Sequence, residues 1–95
     1  MKESETLELK TSTSELKEAI ISIVAILNKH QKGELYFGVK NNGEVLGQTV
    51  TENTIRQISQ TISDNIESKI FPKINEIILE GKHCVHVEFS GENVP

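Results

Sequence analysis

The sequence predicts an α/β (α+β) domain in which a mixed sheet carries two helices, in the order β-α-β-β-α-β-β. Three observations lead to this. Several short runs place apolar residues at every second position, as on a half-buried strand. Two longer runs space them three and four apart, as on one face of a helix. Two turn signals, Asn42-Gly43 and the stretch near Glu80-Gly81-Lys82, stand where strands would reverse on themselves.

The first strand runs from Thr6 to Lys10. Leu7 and Leu9 face one way, and Thr6, Glu8 and Lys10 the other. Thr11-Ser12-Thr13-Ser14 is rich in helix-capping residues, and Ser12 with Glu15 fits a capping box. Glu15 and Glu18 suit the positive end of the helix dipole. The helix itself is predicted from Ser14 to Asn28. Leu16, Ala19, Ile20, Ile23, Val24 and Leu27 form its stripe, and Ile21, Ala25 and Ile26 widen that stripe. Cover on more than one side is therefore expected. Lys29, His30 and Lys32 stand at its negative end, with Gly33 beyond.

Leu35 to Val39 reads as the central strand, and Glu44-Val45-Leu46-Gly47 as its short return after Asn42-Gly43. The second helix is predicted from Glu52 to Glu67. Thr51 caps it, and Ile55, Ile58, Ile62 and Ile66 form its inner face. Phe71-Pro72 breaks it. A second hairpin follows, Lys73 to Leu79 and His83 to Phe89, in which Val85, Val87 and Phe89 alternate with Cys84, His86 and Glu88. No repeat, low-complexity tract or linker interrupts the chain, so residues 1–95 read as a single domain. A strand pattern followed at once by Val94-Pro95 leads us to expect an N-terminal fragment of a longer protein.

Composition narrows the function classes. The chain has 95 residues and a formal charge of −4, which argues against a protein that coats nucleic acid but leaves room for a local basic patch. Its aromatics are one Tyr and three Phe with no Trp, a poor supply for a base-stacking platform. One cysteine excludes an internal disulfide. With no signal-peptide pattern at Met1-Lys2-Glu3 and no apolar run long enough to span a bilayer, a cytoplasmic protein without a membrane partner is expected.

Four groups of residues suggest chemistry. Gly33 and Gly38 have the spacing of the two glycines in a phosphate-binding loop. The residues that follow are Val39-Lys40-Asn41 and not Lys-Ser/Thr, and the intervening residues read as a strand, so no ATPase motif is present. Glu3, Glu5 and Glu8 with Lys10 form an acidic cluster. Glu3 and Glu8 are candidate ligands for Mg²⁺ or Mn²⁺, and Lys10 a candidate stabiliser of negative charge on a phosphate, if the domain is a nuclease. An acidic-x-Lys pair alone is common and usually marks a solvated strand face. His83, Cys84 and His86 read as a half-buried strand, since only Cys84 and His86 share a face and no second ligand cluster exists. Lys10, Lys29, Lys32 and Lys40 are the candidate phosphate contacts. Lys10 would join the patch if the first two strands are neighbours. Helix-end cations satisfying carbonyls explain Lys29 and Lys32 equally well.

Taken in order, these motifs resemble one family. They are Glu3-Ser4 with Glu8-Leu9-Lys10, the helix ending Ile26-Leu27-Asn28, the strand Gly33 to Val39, Gly43 to Gly47, and Ile70-Phe71-Pro72. The family is the Schlafen AlbA_2 (divergent AAA-4) domain, and the resemblance runs from about Glu3 to Phe89. In bacteria the domain is typical of the N-terminus of transcriptional regulators, often labelled as RecG-related ATP-dependent DNA helicases. The resemblance implies an Alba-like mixed sheet with two helices, and nucleic-acid binding on it. Alba itself is a dimeric chromatin protein that binds DNA and RNA.

Animal Schlafen proteins add metal-dependent RNA cleavage through two glutamates and an aspartate. Glu3 and Glu8 match the glutamates in spacing. Where the aspartate is expected, after Gly38-Val39, this chain has Lys40-Asn41-Asn42, and the lost negative charge weakens a metal site. The family pattern also continues beyond Pro95 with a strand bearing an arginine.

The leading expectation is a nucleic-acid-binding module, DNA before RNA, of a bacterial transcriptional regulator, with no cofactor and with specificity supplied by a C-terminal region. The alternatives are a divalent-metal nuclease, and a protein-interaction or homodimerisation domain without catalysis.

Overall fold

The computed structural model describes residues 1–66, 70 and 72–91. The expected helix end at Glu67, the break at Phe71 and the terminus Val94-Pro95 lie outside these residues. Strand β1 (Leu7–Lys10) leads through one 3-10 turn (Thr13–Glu15) into helix α1 (Leu16–Leu27). Strand β2 (Lys32–Phe37), helix α2 (Glu52–Asn65) and the strands β3 (Lys73–Leu79) and β4 (Lys82–Ser90) follow. The sheet order is β1-β2-β4-β3, with β1 parallel to β2 and the other pairs antiparallel. This is the mixed α+β architecture that the sequence predicts.

The predicted return strand is reduced to a single antiparallel bridge, Val39 to Val45. The Gly38 carbonyl explains why: it accepts from both Leu46 N (2.8 Å) and Gly47 N (2.9 Å), which ends the ladder after one rung. Gly38 (φ 102°) and Gly47 (φ 75°) hold left-handed backbone there. The turn before it differs from a two-residue Asn-Gly turn. Gly43 N donates to Lys40 O at 2.8 Å and only Gly43 has positive φ, as in a turn closed by a glycine bulge. In the second hairpin both Glu80 (φ 50°) and Gly81 (φ 75°) are left-handed, the geometry that matches strand twist.

Register divides the sheet into two faces. Leu35, Phe37, Val85, Val87 and Phe89 point to one side, where they are buried with Ala19, Ile20, Ile23 and Ile26 of α1 and Ile58 and Ile62 of α2. The other face is open over much of its length. It is closed at one end by Leu9, Val39, Val45 and Cys84, with Leu7, Tyr36, Ile77 and Leu79 around them. Cys84 is thereby fully buried, although its strand position reads as polar.

Helix α1 is covered on one side: Ile21, Val24 and Ala25 are exposed, contrary to the width of the apolar stripe. The expected Ser12/Glu15 capping box is also shifted. Ser12 accepts from Ser14 N at 3.1 Å, while Glu15 reaches back to Thr11 N and its hydroxyl. That pairing holds the Glu15 carboxyl below its ordinary range. Thr51 caps α2 as predicted, in a reciprocal box with Thr54.

Candidate functional site

Parallel pairing places Glu8 beside Leu35 and Lys10 beside Phe37, so both side chains emerge on the helix-bearing face at the sheet edge. Lys10 Nζ lies 3.3 Å from Glu8 Oε2, with little of the lysine exposed. Glu3 folds back over the strand: its Oε2 accepts from Leu9 N at 3.0 Å, which brings its carboxyl near that of Glu8. Burial, then Glu3, push the Glu8 carboxyl above its ordinary value, against the pull of Lys10. The two glutamates matched by spacing are therefore adjacent in space.

A third ligand is not supplied. Among the described residues no three His, Cys, Asp or Glu side chains converge. The turn where the family aspartate is expected holds Lys40 against Glu44 (3.5 Å) and uses Asn42 Oδ1 to accept from Glu44 N (2.9 Å). Two carboxylates suit Mg²⁺ only where substrate phosphates complete its shell. Glu3 and Glu8 alone supply two carboxylates and no third ligand among the described residues.

Lys29 and Lys32 sit elsewhere. Lys29 follows the end of α1, and Lys32 opens β2 opposite Ser90. Both are exposed, and among the described residues neither has an ion-pair partner. Lys29 borders a groove of about 340 Å³ between α1 and the approach to β1, with Ser4, Glu8, Ile21, Ser22 and His30 among its walls. His30 Nε2 is buried there without a hydrogen-bond partner among the described residues. The first two strands are neighbours, as the patch required, yet register sets Lys10 beside Phe37. That is roughly 16 Å along the strand from Lys32 at about 3.3 Å per residue. Lys29 and Lys32 stand three residues apart where β2 begins, and Lys10 and Lys40 lie at the opposite end of β2.

The family model for Schlafen, AlbA_2 matches residues 3–95. The chain belongs to this family. Comparison with curated proteins gives no match. Membership is consistent with a nucleic-acid-related function. No helix among the described residues is long and apolar enough to cross a membrane.

The remaining candidates of this AlbA_2 domain diverge. The backbone of Gly33 to Phe37 is paired in the sheet, so it forms no phosphate cradle. Burial pushes the Cys84 thiol up, and its Sγ faces the Gly38 carbonyl at 3.8 Å. His83 meets Glu76 on the helix-bearing side, while His86 Nε2 meets Glu34 Oε1 at 2.8 Å on the open face.

Two features escape a residue-by-residue reading. The Tyr36 and His86 rings stack at 4.5 Å and 24°, joined by the β2–β4 register. Lys73 lies across the sheet from Lys32, opposite Glu88 on β4. Alternation puts Tyr36 and His86 each on a polar face, but only the pairing of distant strands unites those faces.

Proposed function

We propose that this AlbA_2 domain is a nucleic-acid-binding module, with DNA its expected ligand, in a bacterial transcriptional regulator. The observation that carries this reading is the pair Lys29 and Lys32. Both are exposed cations left unpaired among the described residues, three residues apart in the chain and each beside a hollow, in a family tied to nucleic acid. Every other reading leaves them without a purpose beyond the dipole of α1. The overall charge of −4 repels phosphate at long range, so binding rests on these local contacts. Lys10 and Lys40, already held by Glu8 and Glu44, contribute less.

One observation favours a second reading. Glu3 folds back onto the strand that carries Glu8, beside Lys10, so two carboxylates stand where Mg²⁺ or Mn²⁺ would be held. In a nuclease the ion would polarise the scissile phosphate, and Lys10 would offset charge gathering on it.

A titration of labelled DNA and RNA, with and without Mn²⁺ and at two salt concentrations, separates the readings when the products are run on a denaturing gel. Salt-sensitive binding with intact substrate is the result expected for the module. Cleavage that needs Mn²⁺ and disappears in Glu8→Ala establishes the nuclease. Absence of binding at low salt removes both, and leaves an interaction domain.

A further inference from the structure

Three hollows follow one another around the end of the sheet where β2 begins. The groove beside Lys29 lies on the helix side. Next to it, where Thr6 succeeds Glu5, a hollow of about 200 Å³ is walled by Thr6, Lys32, Glu34 and Glu88. The third, about 470 Å³, shares Lys32, Gly33 and Glu88 with the second and extends to Pro72 and Lys73. Lys32 and Lys73 have the strand parity of the open face, and Lys73 is exposed. Like Lys29 and Lys32, Lys73 has no ion-pair partner among the described residues. Three unpaired ammonium groups thus mark a concave path that starts under α1, rounds the sheet end and finishes on the opposite face.

We propose that this path holds a single strand of nucleic acid, with phosphates on Lys29, Lys32 and Lys73. The inference rests on the nucleic-acid-binding reading above and names the form of the ligand. Shape decides it. The molecule is only 18 Å across its shortest axis, and Lys29 and Lys73 lie on opposite sides of the sheet. A duplex, stiff over about 50 nm, touches one side or the other. A single strand turns freely about its backbone bonds and follows the bend, with its bases free to enter the hollows. Base identity and the sugar play no part in this argument, so DNA and RNA strands both qualify.

Four carboxylates line the path: Glu5 and Glu8 in the groove beside Lys29, where Glu8 is held by Lys10, and Glu34 and Glu88 beyond it. Glu34 is bonded to His86, whereas Glu88 stands opposite Lys73 with no ion pair among the described residues. Removing the Glu88 charge therefore tightens binding, and removing the Lys73 charge weakens it.

The test uses the 95-residue chain and labelled homopolymer strands of roughly 20 nucleotides, oligo-dT and oligo-U, against a duplex of the same length. Three phosphate contacts give a salt slope of about −2 on a single strand, an affinity loss of about 20-fold between about 50 and 200 mM salt. Lys73→Gln lowers that loss to about sevenfold, with an unchanged melting temperature as the folding control. Glu88→Gln tightens binding a few-fold, and oligo-dT and oligo-U compete for the same sites. Equal or stronger duplex binding, or a slope unmoved by Lys73→Gln, overturns the single-strand path while leaving the nucleic-acid-binding reading intact. No binding to any of the three probes overturns both.

Discussion

The two ends of β2 treat charge in opposite ways. Where the strand finishes, Lys10 is held by Glu8, Lys40 by Glu44, and Lys82 Nζ donates to the Val45 carbonyl at 3.1 Å. The same end is closed by Leu9, Val39, Val45 and Cys84. Where the strand begins, Lys29, Lys32 and Lys73 have no ion-pair partner among the described residues, and hollows lie between them. One end satisfies its cations within the fold. The other leaves them available to an anion from outside. A net charge of −4 averages over both and reveals neither.

The largest expected effect tests the finished end. Gly38 is left-handed, and a Cβ there would come within 3.0 Å of Cys84 Sγ and 3.4 Å of Gly47 Cα. Gly38→Ala combines a disfavoured backbone with overpacking of a closed cluster, and is expected to destabilise by about 2–4 kcal/mol. Urea unfolding followed by circular dichroism measures it. A loss below about 0.5 kcal/mol would mean that this end is loose, and that its difference from the other is not one of packing.

Next in size is the open end. Lys29→Glu with Lys32→Glu is expected to weaken nucleic-acid binding at low salt by roughly tenfold or more, and to reduce the salt slope by about 1.4 on single strands. Both positions are exposed, so the melting temperature stays nearly constant. Unchanged affinity in a folded double variant would remove the basic end from the binding surface.

How much of this contrast the sequence discloses depends on how local each cause is. Strand parity, the Ile58/Ile62 face of α2 and the turn at Glu80-Gly81 follow from spacing and backbone preference, and all three stand in the structure. The shortened return at Glu44 to Gly47 does not, because the Gly38 carbonyl ends it from eight residues away. Cys84 sits on the formally polar face of β4, yet the Val39–Val45 hairpin covers it, and nothing in β4 announces that cover. The site divides in the same manner. Glu8 and Lys10 share a face by spacing alone. The separation of Lys10 from Lys32, and the nearness of Lys73, depend on pairings between strands far apart in the chain.

A smaller effect concerns Glu8, which holds Lys10 toward the finished end and also walls the groove beside Lys29. Its carboxyl is raised above 4.5, chiefly by burial and secondarily by Glu3. The folded chain therefore holds this proton more tightly than the unfolded chain. The resulting stability is complete below the ordinary carboxyl value and is lost as pH rises through the raised one. Glu8→Gln is expected to flatten stability against pH across that window, by less than about 1 kcal/mol for so solvated a group. Thermal unfolding at a series of pH values measures it, and a slope unchanged by the substitution would show that the Glu8 proton does not contribute to stability.

The smallest expected effect is the sharpest check on the comparison, because it uses a lysine that any count of charges would treat as equal to Lys32. Lys40 is 45% exposed and pairs with Glu44, itself 58% exposed, at 3.5 Å. Such a pair contributes about 0–1 kcal/mol to stability, so Lys40→Gln leaves folding nearly unaltered. It also leaves Glu44 unpaired, which makes that end more acidic. Long-range repulsion of phosphate grows slightly, and is screened beyond about 8 Å at physiological salt. Affinity is therefore expected to fall by no more than about twofold, with the salt slope unchanged within error, because no phosphate contact is lost. Suppose instead that Lys40→Gln lowers the slope by about 0.7, as the loss of one contact on a single strand does. Glu44 must then release Lys40 when nucleic acid binds, and the finished end belongs to the binding surface as much as the open one. The slope distinguishes the two cases where affinity alone does not, since repulsion and lost contact both weaken binding but only the second changes the number of ions released.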